Sequence, residues 1–359
     1  MSDKEKKLII LLVKYELNSK EEKYLKELLT YDLDWGSISY QIIKNKIGGL
    51  VWKNLKEYVL SDPNVQFPFP EFIKYSYSTY IYQKKKGLEQ EKLTKDILND
   101  FDENNLEYVL LKGISVIISI YNDYGLRTFN DNDLLIDKDN INFANTLLKN
   151  KGYIQGDITN FINFRETSKK ENLIWSISSH ELMPYTKFLS ENDAHFLYHI
   201  IDIHYSANLM TKKRNNDFTI EMLANKVNIQ NINILDTKYL LLFLCEHFYK
   251  EAIYIEPYKE NNDISLYKLC DIHYLISIKT IDWSSVYTLS KKLDLEKPLT
   301  YTLKYVFEIF GNKYFEEIES LVNKHIQPKN TMDIVYEYDS EKVAYVYQTQ
   351  NYLDRILDI

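Results

Sequence analysis

The residues best suited to chemistry stand together in the run Arg127-Thr128-Phe129-Asn130-Asp131-Asn132-Asp133-Leu134-Leu135-Ile136. The apolar end of this run reads as a strand. Side chains alternate along a strand, so Asp131 and Asp133 point to one face, with Cα atoms about 6.6 Å apart. Two carboxylates at that separation repel each other unless a cation lies between them. Mg2+ takes hard oxygen ligands, commonly one or two carboxylates plus substrate phosphate oxygens. In two-metal sites the ions contact both the attacking and the leaving oxygen of an in-line displacement. The spacing therefore suits phosphoryl or nucleotidyl transfer. A lone D-x-D also occurs in solvated turns. What distinguishes this one is its place at the head of an apolar strand, after a short strand, a glycine turn and a buried helix.

The elements around it are predicted as follows. Residues 1–104 form a helical N-terminal region. It includes a capping box at Ser19–Glu22, a helical stretch over Trp35–Leu55 broken at Gly48-Gly49, and a long helix from about Glu71 to Asn104. Leu88, Leu93, Ile97 and Phe101 are expected on that helix's inner face. Residues 105–215 form an α/β core. It starts with a strand at Tyr108–Leu111, a turn at Lys112-Gly113 and a helix at Ile114–Tyr121, apolar nearly all round. The strand Asp131–Ile136 and a helix capped by Asp139 come next. Further strands are expected at Leu173–Ser178, His180–Tyr185 and Phe196–Tyr205. Residues 216–328 are a helical C-terminal domain, with Asp236 or Thr237 and Asp282 as caps, and 329–359 an acidic, tyrosine-rich tail.

Other residues earn attention one by one. Asp202 alternates with Ile201 and Ile203, beside His204, and reads equally as an exposed Asp/His pair or part of a site. Lys112 is either a solvated turn residue or a phosphate partner, and Arg127 either a loop brace or a phosphate partner. His180 and His247 are more often structural. Lys84-Lys85-Lys86 and Lys212-Lys213-Arg214 read as solvated charge runs. Cys245 and Cys270 lie in apolar helical patterns without ligand spacing and read as buried, reduced thiols.

The elements Leu110-Leu111-Lys112-Gly113, Tyr121, Gly125-Leu126-Arg127 and Asp131-Asn132-Asp133-Leu134-Leu135, in this order, resemble the bacterial uncharacterised nucleotidyltransferase family. That family is a branch of the polymerase-beta-like nucleotidyltransferase superfamily. Ile201-Asp202-Ile203-His204, the helical stretches around Leu240–His247 and Leu269–Ile272, and the pairs Asp34-Trp35 and Asp282-Trp283 extend the resemblance over most of residues 20–315. It implies that Asp131 and Asp133 bind catalytic metal and that Asp202 is the third carboxylate, activating the acceptor hydroxyl. It further implies that Gly113, with Ser115, replaces the Gly-Ser turn whose backbone meets the triphosphate, and that Lys112 or Arg127 pairs with phosphate. His180, His204 and His247 become substrate-side candidates. Between the aspartates, where the family usually has an apolar residue packed under the sheet, this chain has Asn132.

The expected fold class is α+β, a small mixed-sheet nucleotidyltransferase core flanked by helical N- and C-terminal regions. The expected function is Mg2+-dependent (Mn2+ as the alternative) transfer of a nucleoside monophosphate from an NTP to an acceptor hydroxyl or phosphate. The acceptor is a small molecule, a peptide or a protein. Two alternatives stand beside it: a peptide-tailoring transferase using a nucleotide or sugar-nucleotide donor, and a non-catalytic nucleotide- or partner-binding module. The formal net charge of −8 argues against long nucleic acid as the main partner, since such affinity comes from neutralising phosphates. With no stretch of the roughly 20 apolar residues that a bilayer requires, no membrane association is expected. Free thiols and the lack of a signal sequence point to the cytoplasm.

Overall fold

The computed structural model describes residues 1–159, 162–179, 181–190, 194–206, 216–260, 263–311, 333–337, 340, 342–349 and 351–357. The chain divides into two compact units. Lys84–Tyr124 and Thr128–Phe243 make one; Met1–Gln83, Gly125–Arg127 and Leu244–Ile359 make the other.

The first unit is built on an eight-stranded mixed sheet. Its strands are β1 (Tyr108–Leu110), β2 (Asp131–Ile136), β3 (Ile154–Thr159), β4 (Asn163–Glu166), β5 (Tyr185–Phe188), β6 (Tyr198–His204), β7 (Lys226–Ile229) and β8 (Ile232–Leu235). They lie in the order β4-β3-β5-β6-β2-β1-β8-β7. β2 runs parallel to β6 and antiparallel to β1, so the two central strands of the sheet are the ones carrying the aspartates. One face packs on a core that includes Leu110, Leu134, Ile136, Ile201, Ile203 and Ile234. Helical residues Ile97, Phe101, Ala144 and Leu148 complete it. Each fully buried aliphatic side chain there contributes roughly 1.5–3 kcal/mol. The mixed sheet with helices before and after it is the α+β arrangement expected from the pattern of elements.

Several local expectations are corrected. Leu173–Ser178 is not a strand but the end of a helix, Lys169–Ser178. Ser168 and Glu171 form a capping box at its start, and that start signal outweighs the β-branched content of the run. Its apolar side chains are not core: Leu173 is 60% and Ile177 65% exposed. The strand expected at His180–Tyr185 begins only at Tyr185; Glu181 makes an isolated bridge to His204. The hairpin β3–β4 was not expected, because its mostly exposed residues lack a buried alternation. Nor was β7–β8, inside a stretch expected to be helical. Gln230 and Asn231 both have positive φ there, at 55° and 62°, the backbone of a two-residue type I′ hairpin turn. Asn18, not Ser19, caps the second helix, with Glu21 closing the box. Asp137, not Asp139, accepts the capping hydrogen bond before Ile141–Asn150. The long helix runs Pro70–Glu103; Ile97 and Phe101 are buried, Leu93 is partly exposed and Leu88 faces solvent.

The second unit is largely helical. Asp34 caps Trp35–Lys44 and Asp282 caps Trp283–Lys292, each accepting a backbone N–H three residues on. Leu266, Leu269, Ile272 and Ile276 are all buried on Leu266–Ile278. Gly49 and Gly125 touch: a Cβ on Gly49 would lie 2.0 Å from the Gly125 carbonyl oxygen. The hairpin Ile334–Tyr336/Val343–Val346 and the helix Tyr352–Leu357 belong to this unit. There the buried Arg355 pairs with Asp333 and donates to Tyr305 Oη. Among the described residues, no helix is long and apolar enough to cross a membrane.

Candidate active site

Strand alternation sorts β2 and β6 into two faces. Asn132, Leu134 and Ile136, with His199, Ile201 and Ile203, share the core face. Asp131, Asp133, Asp202 and His204 share the other. The parallel register sets Asp133 directly beside Asp202 and Asp131 beside Ile200. β1 supplies the next neighbour: Leu111 N–H donates to the Asp133 carbonyl at 3.0 Å, and the chain then turns at Lys112-Gly113.

Asp133 is buried, and one of its oxygens is crowded. Oδ1 lies 2.9 Å from Lys112 Nζ and accepts from His204 Nε2 at 3.0 Å. His204 Nδ1 stands 3.5 Å from Glu181 Oε2. Oδ2 has no hydrogen-bond partner. Burial opposes ionisation of Asp133, but the Lys112 charge and the His204 hydrogen bond hold its carboxyl well below the usual range. Asp202 is the reverse case. Burial and the charges of Asp131, Asp133 and Glu181 push its carboxyl well above the ordinary value, and Lys112 offsets this only in part. Asp202 Oδ1 is also without a hydrogen-bond partner.

The turn before the first helix depends on glycine. Gly113 has φ 62° and ψ −113°, a backbone that L side chains rarely adopt. A Cβ there would come within 3.1 Å of the Asp131 carbonyl oxygen. Two residues on, Ser115 is buried and its Oγ has no hydrogen-bond partner.

Asn132 has a physical explanation on the core face. Its Nδ2 lies 3.4 Å from both His199 Nε2 and the Ile200 carbonyl oxygen. Thr94 Oγ1 meets His199 Nε2 at 3.1 Å, and Tyr153 Oη meets Nδ1 at 2.6 Å. Burial lowers the His199 pKa to about 3, so the ring is neutral in this network. The Asn132 amide nitrogen under the sheet is thus matched by a buried histidine on the next strand, while its Oδ1 has no hydrogen-bond partner. Neither His199 nor Glu181 was singled out from sequence. The alternation of Tyr198–His204 places His199 with Ile201 on the core face, and that signal was available; Glu181 had none.

The remaining candidates lie elsewhere. Arg127 belongs to the helical unit. There its Nε donates to Asp271 at 2.8 and 3.0 Å, and its guanidinium lies over the Tyr267 ring. That is the bracing alternative of its two readings. His247 belongs to the same unit and lies 3.1 Å from Glu251, which also pairs with Lys268. His180 and Lys212-Lys213-Arg214 lie outside the described residues. Cys245 and Cys270 are buried free thiols, as their pattern suggested.

The donor set can be tested against a divalent cation. Among the described residues, no group of three or more His, Cys, Asp or Glu side chains forms a ready-made metal cage. Mg2+ does not need one; it is usually held by one or two carboxylates together with substrate phosphates and water. Asp133 Oδ2 and Asp202 Oδ1 are hard, unpartnered oxygens on neighbouring strands. The repulsion that raises Asp202 is of the kind a cation relieves. The residues fit the ion.

The site is thus a mixed sheet whose adjacent central strands bring carboxylates side by side next to a lysine-glycine turn. The model of the family described as uncharacterised nucleotidyltransferase matches residues 31–311, and the chain belongs to that family. No curated protein matches the chain.

Proposed function

We propose that the protein is a Mg2+-dependent nucleotidyltransferase, moving a nucleoside monophosphate from an NTP to an acceptor hydroxyl or phosphate. The observation that carries this reading is the register of β2 and β6, which sets Asp133 against Asp202 beside Lys112 and Gly113. Asp131, Asp133 and Asp202 would hold the ion, which supplies neutralisation of the triphosphate charge. Lys112, the Gly113 turn and Ser115 would meet the phosphates. The acceptor oxygen forms a bond to the α-phosphorus while the bond from that phosphorus to pyrophosphate breaks, and the electron pair leaves with pyrophosphate. For a hydroxyl acceptor, the proton passes to the Asp202 carboxylate, which stands directly beside Asp133 on the neighbouring strand. The acceptor is a small molecule, a peptide or a protein.

The test uses each α-32P-labelled NTP with Mg2+, with and without cell extract as the acceptor source. Label transfer that falls roughly 100-fold or more in Asp133→Ala and Asp202→Ala is the expected result. A second reading rests on the hold that Lys112 and His204 have on Asp133: a module that binds nucleotide without turnover. Tight binding with no labelled product would favour it. No nucleotide binding at all would sink both.

A further inference from the structure

We infer that this site takes a single divalent cation and that Lys112 occupies, as a resident charge of the protein, the place a second ion would hold. The inference rests on the proposed function and sharpens it.

A carboxylate that shares its two oxygens between two metal ions gives one to each. Asp133 cannot do so here. Its Oδ1 receives both Lys112 Nζ at 2.9 Å and His204 Nε2 at 3.0 Å, while Oδ2 is the oxygen left over. His204 is itself held from behind, since its Nδ1 faces Glu181 at 3.5 Å and Glu181 forms a backbone bridge with residue 204. Leu182 N–H donates to the Ile203 carbonyl at 2.8 Å and ties the same segment to β6. Oδ1 is therefore committed to protein cations and donors by a braced arrangement, not by one mobile side chain. On β6, Asp202 Oδ1 is the other unpartnered oxygen. Those two oxygens, with the Asp131 carboxylate on the same face, are the ones left to hold a single ion. A second ion shared through Asp133 would have to compete with Lys112 and His204 for Oδ1. Lys112 supplies a unit positive charge there without a metal, and its side chain is partly exposed, so it can face solvent-borne phosphate as well as Asp133.

Mn2+ reports on this directly. The full chain is titrated with Mn2+ in the presence of a non-hydrolysable NTP analogue and followed by electron paramagnetic resonance. The expected result is an uncoupled six-line spectrum from isolated protein-bound ions. A spectrum of two exchange-coupled ions overturns the inference and leaves the proposed function standing. Failure to bind Mn2+ overturns both. Lys112→Met provides the second arm, measured without nucleotide. Removing a positive charge a few ångströms from the ion should tighten Mn2+ binding about tenfold, while Lys112→Arg leaves it near the wild-type value. Unchanged Mn2+ affinity in a folded Lys112→Met protein overturns the inference.

Discussion

At the residue scale, one carboxylate of the site stands where its own charge is disfavoured. Asp202 is buried against three other carboxylates with one oxygen unpartnered. Asp202→Asn removes the repulsion and keeps the shape. It should stabilise the metal-free protein by about 1 kcal/mol, the usual gain when a strained functional residue is relieved, while label transfer is lost. Thermal melts in chelator, run beside the transfer assay, check both halves, and a lowered melting temperature would contradict the account. His199 gives a prediction about pH. Its folded pKa of about 3 lies below the ordinary 6.5, so the unfolded chain binds more protons in the window between them. Its contribution is fully present above pH 6.5 and lost as pH falls toward 3, amounting to about 2 kcal/mol by pH 5. Denaturant titrations at pH 7 and pH 5 should show this loss in the wild type and a smaller one in His199→Gln.

At the scale of elements, the turn between β1 and the first helix of the sheet unit is the sensitive joint. Local pattern reveals most of it: an apolar run, Lys112-Gly113, then an apolar helix. The reason for glycine is geometric, since φ is positive and the Asp131 carbonyl is close by. Gly113→Ala should cost about 1–3 kcal/mol and weaken nucleotide binding, because the shifted turn moves Lys112 off Asp133. Denaturation and equilibrium nucleotide binding measure the two effects. Elements were misread where a start signal or a turn was overlooked. Ser168 and Glu171 make Leu173–Ser178 helical, and Gln230-Asn231 makes a hairpin where neither Gly nor Pro advertises one.

At the scale of the whole molecule, each compact unit is assembled from separate stretches of the sequence. The three residues Gly125–Arg127 join a unit otherwise made from the two ends of the chain. Arg127 and Asp271, both buried, hold them there. Arg127→Met strands a buried carboxylate and should cost about 3–5 kcal/mol. Arg127→Met/Asp271→Leu removes both charges and should recover most of that loss. A double variant no more stable than Arg127→Met would contradict this account.

The sequence by itself determined whatever depends on near neighbours along the chain. The period of two puts Asp131 and Asp133 on one face, the cap and helical period mark Asp282-Trp283, and apolar runs define the strands that carry the site. It also carried the family resemblance, because that rests on ordered short motifs. Tertiary structure alone decided what depends on partners far apart in the chain. The register that sets Asp133 beside Asp202, the Lys112 and His204 contacts on one carboxylate oxygen, and the His199 network beneath Asn132 all join segments tens of residues apart. The physical reason is that strand alternation is written in each strand, whereas pairing register is chosen only when the whole sheet buries its core face.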